Sequence, residues 1–148
     1  MDRRRPIPVI LYFVLCNYCV CDVYNGITLF SNISDQSHTY LISNNYNFIN
    51  IWTHSSRIVG TPYLLTDRSI MVQLKSGTHY FGNSHGPIGG RFNRLDWDGN
   101  LLWDFSYHDY TYHPHHDFEP LPNGNILVLC WEKKTAQQAQ DLGRIDVI

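Results

Sequence analysis

Apolar positions along this chain come in short runs separated by Asn, Asp, Gly, Ser and Thr. The stretch "TYLISNNYNFINIW", Thr39 to Trp52, is an apolar run, an asparagine-rich turn and a second run closing on an aromatic; "FNRLDWDGNLLWDF", Phe92 to Phe105, repeats that plan. Such runs predict β-strands joined as hairpins. Setting Ser43 on Asp96 brings Asn47 onto Asn100, Phe48 onto Leu101, Ile49 onto Leu102 and Trp52 onto Phe105, an offset of 53 positions. A second pattern alternates with the first: "PYLLTDRSIMVQL" from Pro62 matches "EPLPNGNILVLCW" from Glu119, with Ile70 on Ile126 at an offset of 56. "DWDGN" and "PNGN" carry the glycine that a tight hairpin uses at positive φ. "SNNYN" and "TDRS" lack it, which predicts local distortion at those two turns. The run after "PNGN" is apolar enough to predict a strand buried on both faces.

Two hairpin types recurring in step at ~50-residue spacing describe a four-stranded blade, and blades stacked radially make a β-propeller. A β-sandwich would not require the two patterns to recur together. The expected fold is therefore all-β, a propeller of which the 148 residues hold roughly two to three blades, where closed rings have about four to eight. An unclosed array exposes strand edges to self-association. The chain is thus expected to be the front of a longer protein, a truncated gene product or one member of an assembly. "TAQQAQDLGR" predicts a short helix leading onward.

Composition agrees: 43% of residues are hydrophobic and 14% aromatic, with ten tyrosines and four tryptophans, as strand-rich proteins show. The length suits one domain. A net charge of -2, with basic runs only at Arg3 to Arg5 and at Lys133 and Lys134, gives no reason to expect a nucleic-acid partner. Residues 1–22 are a basic head followed by an apolar run from Ile7 to Val20, shorter than the ~20 residues of a spanning helix, so a secretory signal peptide is expected, with a retained signal anchor as the alternative. Lipid anchoring at Cys16 lacks the small residues that should precede it, since Val14 and Leu15 stand there. The domain organisation is then a leader over 1–22 and a partial propeller over 23–148, secreted or periplasmic, without stable membrane insertion beyond the leader. Cys16, Cys19 and Cys21 fall in that leader, where "CNYC" has no second pair with which to make a zinc site. Cys130, within "NILVLCWE", reads as a buried strand residue. Asn32 opens the sequon "NIS", which glycosylation would require at the surface.

The chemistry-bearing groups concentrate in "HPHHDFE", which holds His113, His115, His116, Asp117 and Glu119. These are acceptable metal ligands, but strand alternation divides them between two faces. The "HExxH" spacing is absent, and no metal or other cofactor is expected. The same residues also suit a polar turn. A third use is catalysis: a neutral imidazole attacks an electrophilic sulfur or phosphorus centre, a second carries the proton, and an arginine among Arg91, Arg94 and Arg144 binds the oxygens. Asp117 would then orient an imidazole. Alternation predicts that only one of His115 and His116 faces the site.

"GITLFS" at Gly26, "TYLIS" at Thr39, "YLL" at Tyr63, "GGRFNRLDWDGNLLWDFSY" at Gly89 and above all "HHDFEPLPNGNILVLCWEKKTAQQAQDLGR" at His115 resemble the N-terminal half of the arylsulfotransferase family, from Gly26 to Arg144. The resemblance implies a six-bladed propeller enzyme that moves a sulfuryl group from a phenolic sulfate ester to another phenol through a sulfohistidine. His115 and His116 match one of the family's channel motifs, implying hydrogen bonding to sulfate or proton transfer. The sulfuryl-accepting histidine lies, in the family, in a later blade, so the 148-residue product is expected to be inactive alone. A non-catalytic propeller binding module is the alternative.

Overall fold

Each repeated pattern folds as an antiparallel hairpin, and within each sheet consecutive strands pair. The computed structural model describes residues 24–32, 34–77 and 88–145; the leader expected over 1–22 lies outside them. The first sheet holds β1 (Ile27–Ser31), β2 (His38–Ser43) and β3 (Phe48–Thr53). The second holds β4 (Tyr63–Leu64), β5 (Ile70–Lys75), β6 (Gly90–Leu95) and β7 (Leu101–Ser106), and the third β8 (Tyr112–Pro120) and β9 (Ile126–Glu132). Helix α1 (Ala136–Asp141) follows, opened by a capping box in which Thr135 and Gln138 satisfy each other's backbone N–H groups. The fold is all-β apart from this helix. Among the described residues no sheet closes on itself, and no helix is long and apolar enough to cross a membrane.

Four turns share one design: Ser43 to Asn47, Leu65 to Ser69, Asp96 to Asn100 and Leu121 to Asn125. In each, the first residue's N–H donates to the fifth residue's carbonyl, and the fourth residue's N–H donates to the first residue's carbonyl. The fourth residue has positive φ every time: 87° at Gly99, 85° at Gly124, 61° at Tyr46 and 68° at Arg68. The distortion expected at the two glycine-free turns does not occur. Tyr46 and Arg68 take the left-handed conformation themselves, at a cost of about 1 kcal/mol each. The equivalent turns lie at the offsets of 53 and 56 found in the sequence.

The second sheet is the middle layer. On β5, Ile70, Val72 and Leu74 face the first sheet, packing with Leu41, Trp52, Ile58 and Leu95. Met71 points the other way, against Phe92 and Phe118, with Ile126 and Val128 packed alongside. Burying each of these large side chains contributes about 1.5–3 kcal/mol. Polar contacts fix the first sheet on the second: Trp52 Nε1 donates to the Asp96 carbonyl at 2.8 Å, and Asn50 Nδ2 to the Trp97 carbonyl at 2.7 Å. The two indoles meet edge to face, 5.6 Å apart.

The strand buried on both faces is β5, not β9. β9 alternates, with Ile126 and Val128 turned inward and Leu127 and Leu129 outward. An apolar run records that a strand can be covered twice; whether it is depends on how many layers lie over it.

Candidate functional site

The three expected site residues sit on a bulge in β8. From Tyr112 to Pro114 the strand pairs with Glu132 to Cys130, and from Phe118 to Pro120 with Val128 to Ile126, so His115, His116 and Asp117 are extra residues opposite Leu129. His116 takes φ 58°, the left-handed region, which histidine enters more readily than most residues. The bulge is held in place on its other side: Ile88 bridges His115, and the Gly89 N–H donates to the Pro114 carbonyl at 3.0 Å.

The reversal at His116 overturns the expected alternation. Both imidazoles swing together, Nδ1 of His115 lying 2.7 Å from Nδ1 of His116 with the rings perpendicular. Such a contact needs a proton on one nitrogen and a lone pair on the other. Trp131, on β9, stacks on His115 at 4.3 Å and an interplanar angle of 21°, and lies edge-on to His116. His115 is buried, His116 exposed. Burial, and then the charge of His116, lower the pKa of His115 below the usual imidazole value.

Asp117 does not orient either imidazole. Its Oδ1 accepts from the Tyr63 hydroxyl at 3.2 Å and from the Phe118 N–H at 2.9 Å. Burial and the carboxylates of Asp117 and Glu119 push Tyr63 up to about 12. His113 is buried apart from the pair, its ring 5.8 Å from that of His108. Arg91 is bonded to Asp104, and Arg94 to Asp67 and Ser69. Neither arginine is bonded to the imidazole pair. Among the described residues, no three His, Cys, Asp or Glu side chains are grouped to hold a metal. Cys130 is a free, half-buried thiol whose pKa burial raises, an environment that disfavours the thiolate.

Sequence patterning does not single out Trp131, Gln73 or Gly60. Gly60 (φ 91°) passes so close to the bulge that a Cβ there would stand 2.1 Å from the His116 carbonyl oxygen. Gln73 is fully buried beside it, pressed against Gly89, and neither its amide oxygen nor its nitrogen has a hydrogen-bond partner. A polar residue inside "IMVQL" was the available signal for Gln73, and the "WEKKT" segment for Trp131. No family model, curated protein or solved structure matches the chain.

Proposed function

We propose that the β8 bulge forms one wall of a sulfuryl-transfer site in a β-propeller of the arylsulfotransferase type, acting on a phenolic sulfate ester and a phenol. The propeller reading is supported by a three-stranded meander, a four-stranded meander and a two-stranded hairpin layered face to face in the register of the sequence repeat. The chemical reading rests on the imidazole pair held at 2.7 Å against Trp131.

In this reading a histidine supplied by a further blade attacks sulfur. The N–S bond forms as the ester O–S bond breaks, and the phenolate leaves and takes up a proton. The second phenol then attacks the sulfohistidine, loses its proton, and departs as the new ester. His115 suits the base role in that second step, because burial keeps its imidazole neutral and able to accept the phenolic proton. His116, exposed at the mouth of the bulge, donates to a sulfate oxygen and relays the proton through the Nδ1 contact. The face of Trp131 turned away from His115 is the stacking surface that aligns an aryl ring. A secreted or periplasmic location, delivered by the 1–22 leader, fits a donor ester taken up from outside the cell.

The test adds a chromogenic aryl sulfate and a phenol acceptor to the longest expressible form, with His115→Ala and His116→Ala beside it. Acceptor-dependent phenol release that both variants abolish supports transfer. Acceptor-independent release indicates a sulfatase. If binding shifts the His115 and His116 ring resonances but no phenol appears, the bulge belongs to a non-catalytic binding module.

A further inference from the structure

Among the described residues, the layers pack by a single rule that leaves two complementary faces open. On β5, Ile70, Val72 and Leu74 receive the preceding sheet, while Met71 and Gln73 point to the following one. At the offset of 56, Ile126 and Val128 of β9 stand for Ile70 and Val72, and they do face inward against the Met71, Phe92 and Phe118 cluster. Leu127 and Leu129 stand for Met71 and Gln73. They therefore occupy the side that takes a following layer, and they are 65% and 53% exposed.

The opposite end of the stack shows the counterpart. At the offset of 53, Tyr40 and Ile42 of β2 stand for Asn93 and Leu95, the side of the second sheet that receives the preceding one. In the first sheet that side carries a ladder of rings, Phe30 to Tyr40 at 5.4 Å and Tyr40 to Phe48 at 5.7 Å, with Ile51 paired to Tyr40. Phe48 is 63% exposed. Apolar surface of this kind at both ends of one molecule marks association sites.

We propose that these faces meet between copies of this chain: the Leu127 and Leu129 face of one copy seats on the Phe30, Tyr40 and Phe48 face of a second, head to tail. Each open face has the strand register of an interface already formed inside the molecule, so the contact continues the internal stacking. The Leu127 and Leu129 face is also shaped for side chains of the second copy, with a groove of about 380 Å³ lined by Asp117, Phe118, Glu119, Leu127, Val128 and Leu129. The contact is heterologous, different patches meeting, so it builds chains or a ring rather than an isolated two-fold dimer. It also covers Asp117, at the end of the bulge. This inference rests on packing and stands independently of the sulfuryl chemistry.

Sedimentation velocity of the full chain over micromolar concentrations tests it. The wild type sediments faster as concentration rises, whereas Phe48→Asp and Leu127→Asp each run as a monomer throughout. Mixed in equal amounts, the two variants form a one-to-one heterodimer and nothing larger, because each keeps the face that the other lacks. Circular dichroism checks that both are folded; if either is not, Ile51→Lys and Leu129→Lys replace them. A wild type that stays monomeric, a single variant that still self-associates, or a mixture without heterodimer overturns the proposal.

Discussion

Nδ1 of His115 and Nδ1 of His116 lie 2.7 Å apart, a contact that neighbours on a regular strand cannot make. The left-handed turn at His116 makes it, and the charge of His116 is one cause of the lowered His115 pKa. Burial is the larger cause. His116→Asn, which tolerates the same backbone, therefore raises the His115 pKa partway and leaves it below the usual imidazole value. Titration of the ring resonances by NMR measures this. An unchanged His115 midpoint in the variant would mean that the two rings are not electrically coupled.

Tyr46 and Arg68 hold positive φ at the positions where Gly99 and Gly124 sit in the equivalent turns. Both are exposed, so little packing is lost on replacing them. Tyr46→Gly and Arg68→Gly are each expected to stabilise the fold by up to about 0.5 kcal/mol, the relief of left-handed strain less the added freedom of the unfolded chain. The midpoint of urea denaturation reads the gain. A loss at either site would show that the side chain contributes more than the strain costs.

These turns also show how far local sequence carries. Hairpin positions, the two repeat offsets and the capped helix were legible because each depends on residues close in the chain: "DWDGN", "PNGN", and Thr135 with Gln138. Turn geometry persisted even where glycine was missing, since four correct backbone neighbours outweigh one unfavourable φ. The bulge was not legible. "HHDF" contains no glycine to announce a reversal, and what supports it is remote in sequence: Ile88 and Gly89 beside β8, Gly60 against the His116 carbonyl, and Trp131 across the hairpin. The one-sided burial of β9 was equally hidden, because Leu127 and Val128 look alike in sequence and differ only in which layer lies over them.

Gln73 is the clearest stability cost in the middle layer. Its amide is fully buried and unpartnered, and Gly89 is so close that a Cβ there would stand 2.0 Å from Nε2. Gln73→Met keeps the side chain's length and flexibility while removing the unpaired amide, and should raise stability by about 1–2 kcal/mol. Gly89→Ala should instead disrupt the contact and destabilise. Chemical denaturation of the two variants decides. A destabilised Gln73→Met would show that the amide is bonded in solution.

His54 sets the acid limb of stability. Its ring is buried, with Nε2 2.9 Å from Thr39 Oγ1, and Nδ1 has no partner. Burial, and then the charge of His38, lower its pKa from 6.5 to about 4. The unfolded chain therefore takes up a proton near pH 6.5, and the folded chain only near pH 4. Between those values the unfolded state binds more protons, so stability falls as pH falls. The contribution is fully present above the unfolded pKa, and roughly 3 kcal/mol is lost by the time the folded pKa is passed. His115 shifts in the same direction, so the measurement is a difference: urea denaturation of wild type and His54→Gln at several pH values across that window. The variant's stability should fall less steeply with acid, narrowing its gap to the wild type as pH drops. Curves that stay parallel would show that His54 is accessible to protons in the folded chain.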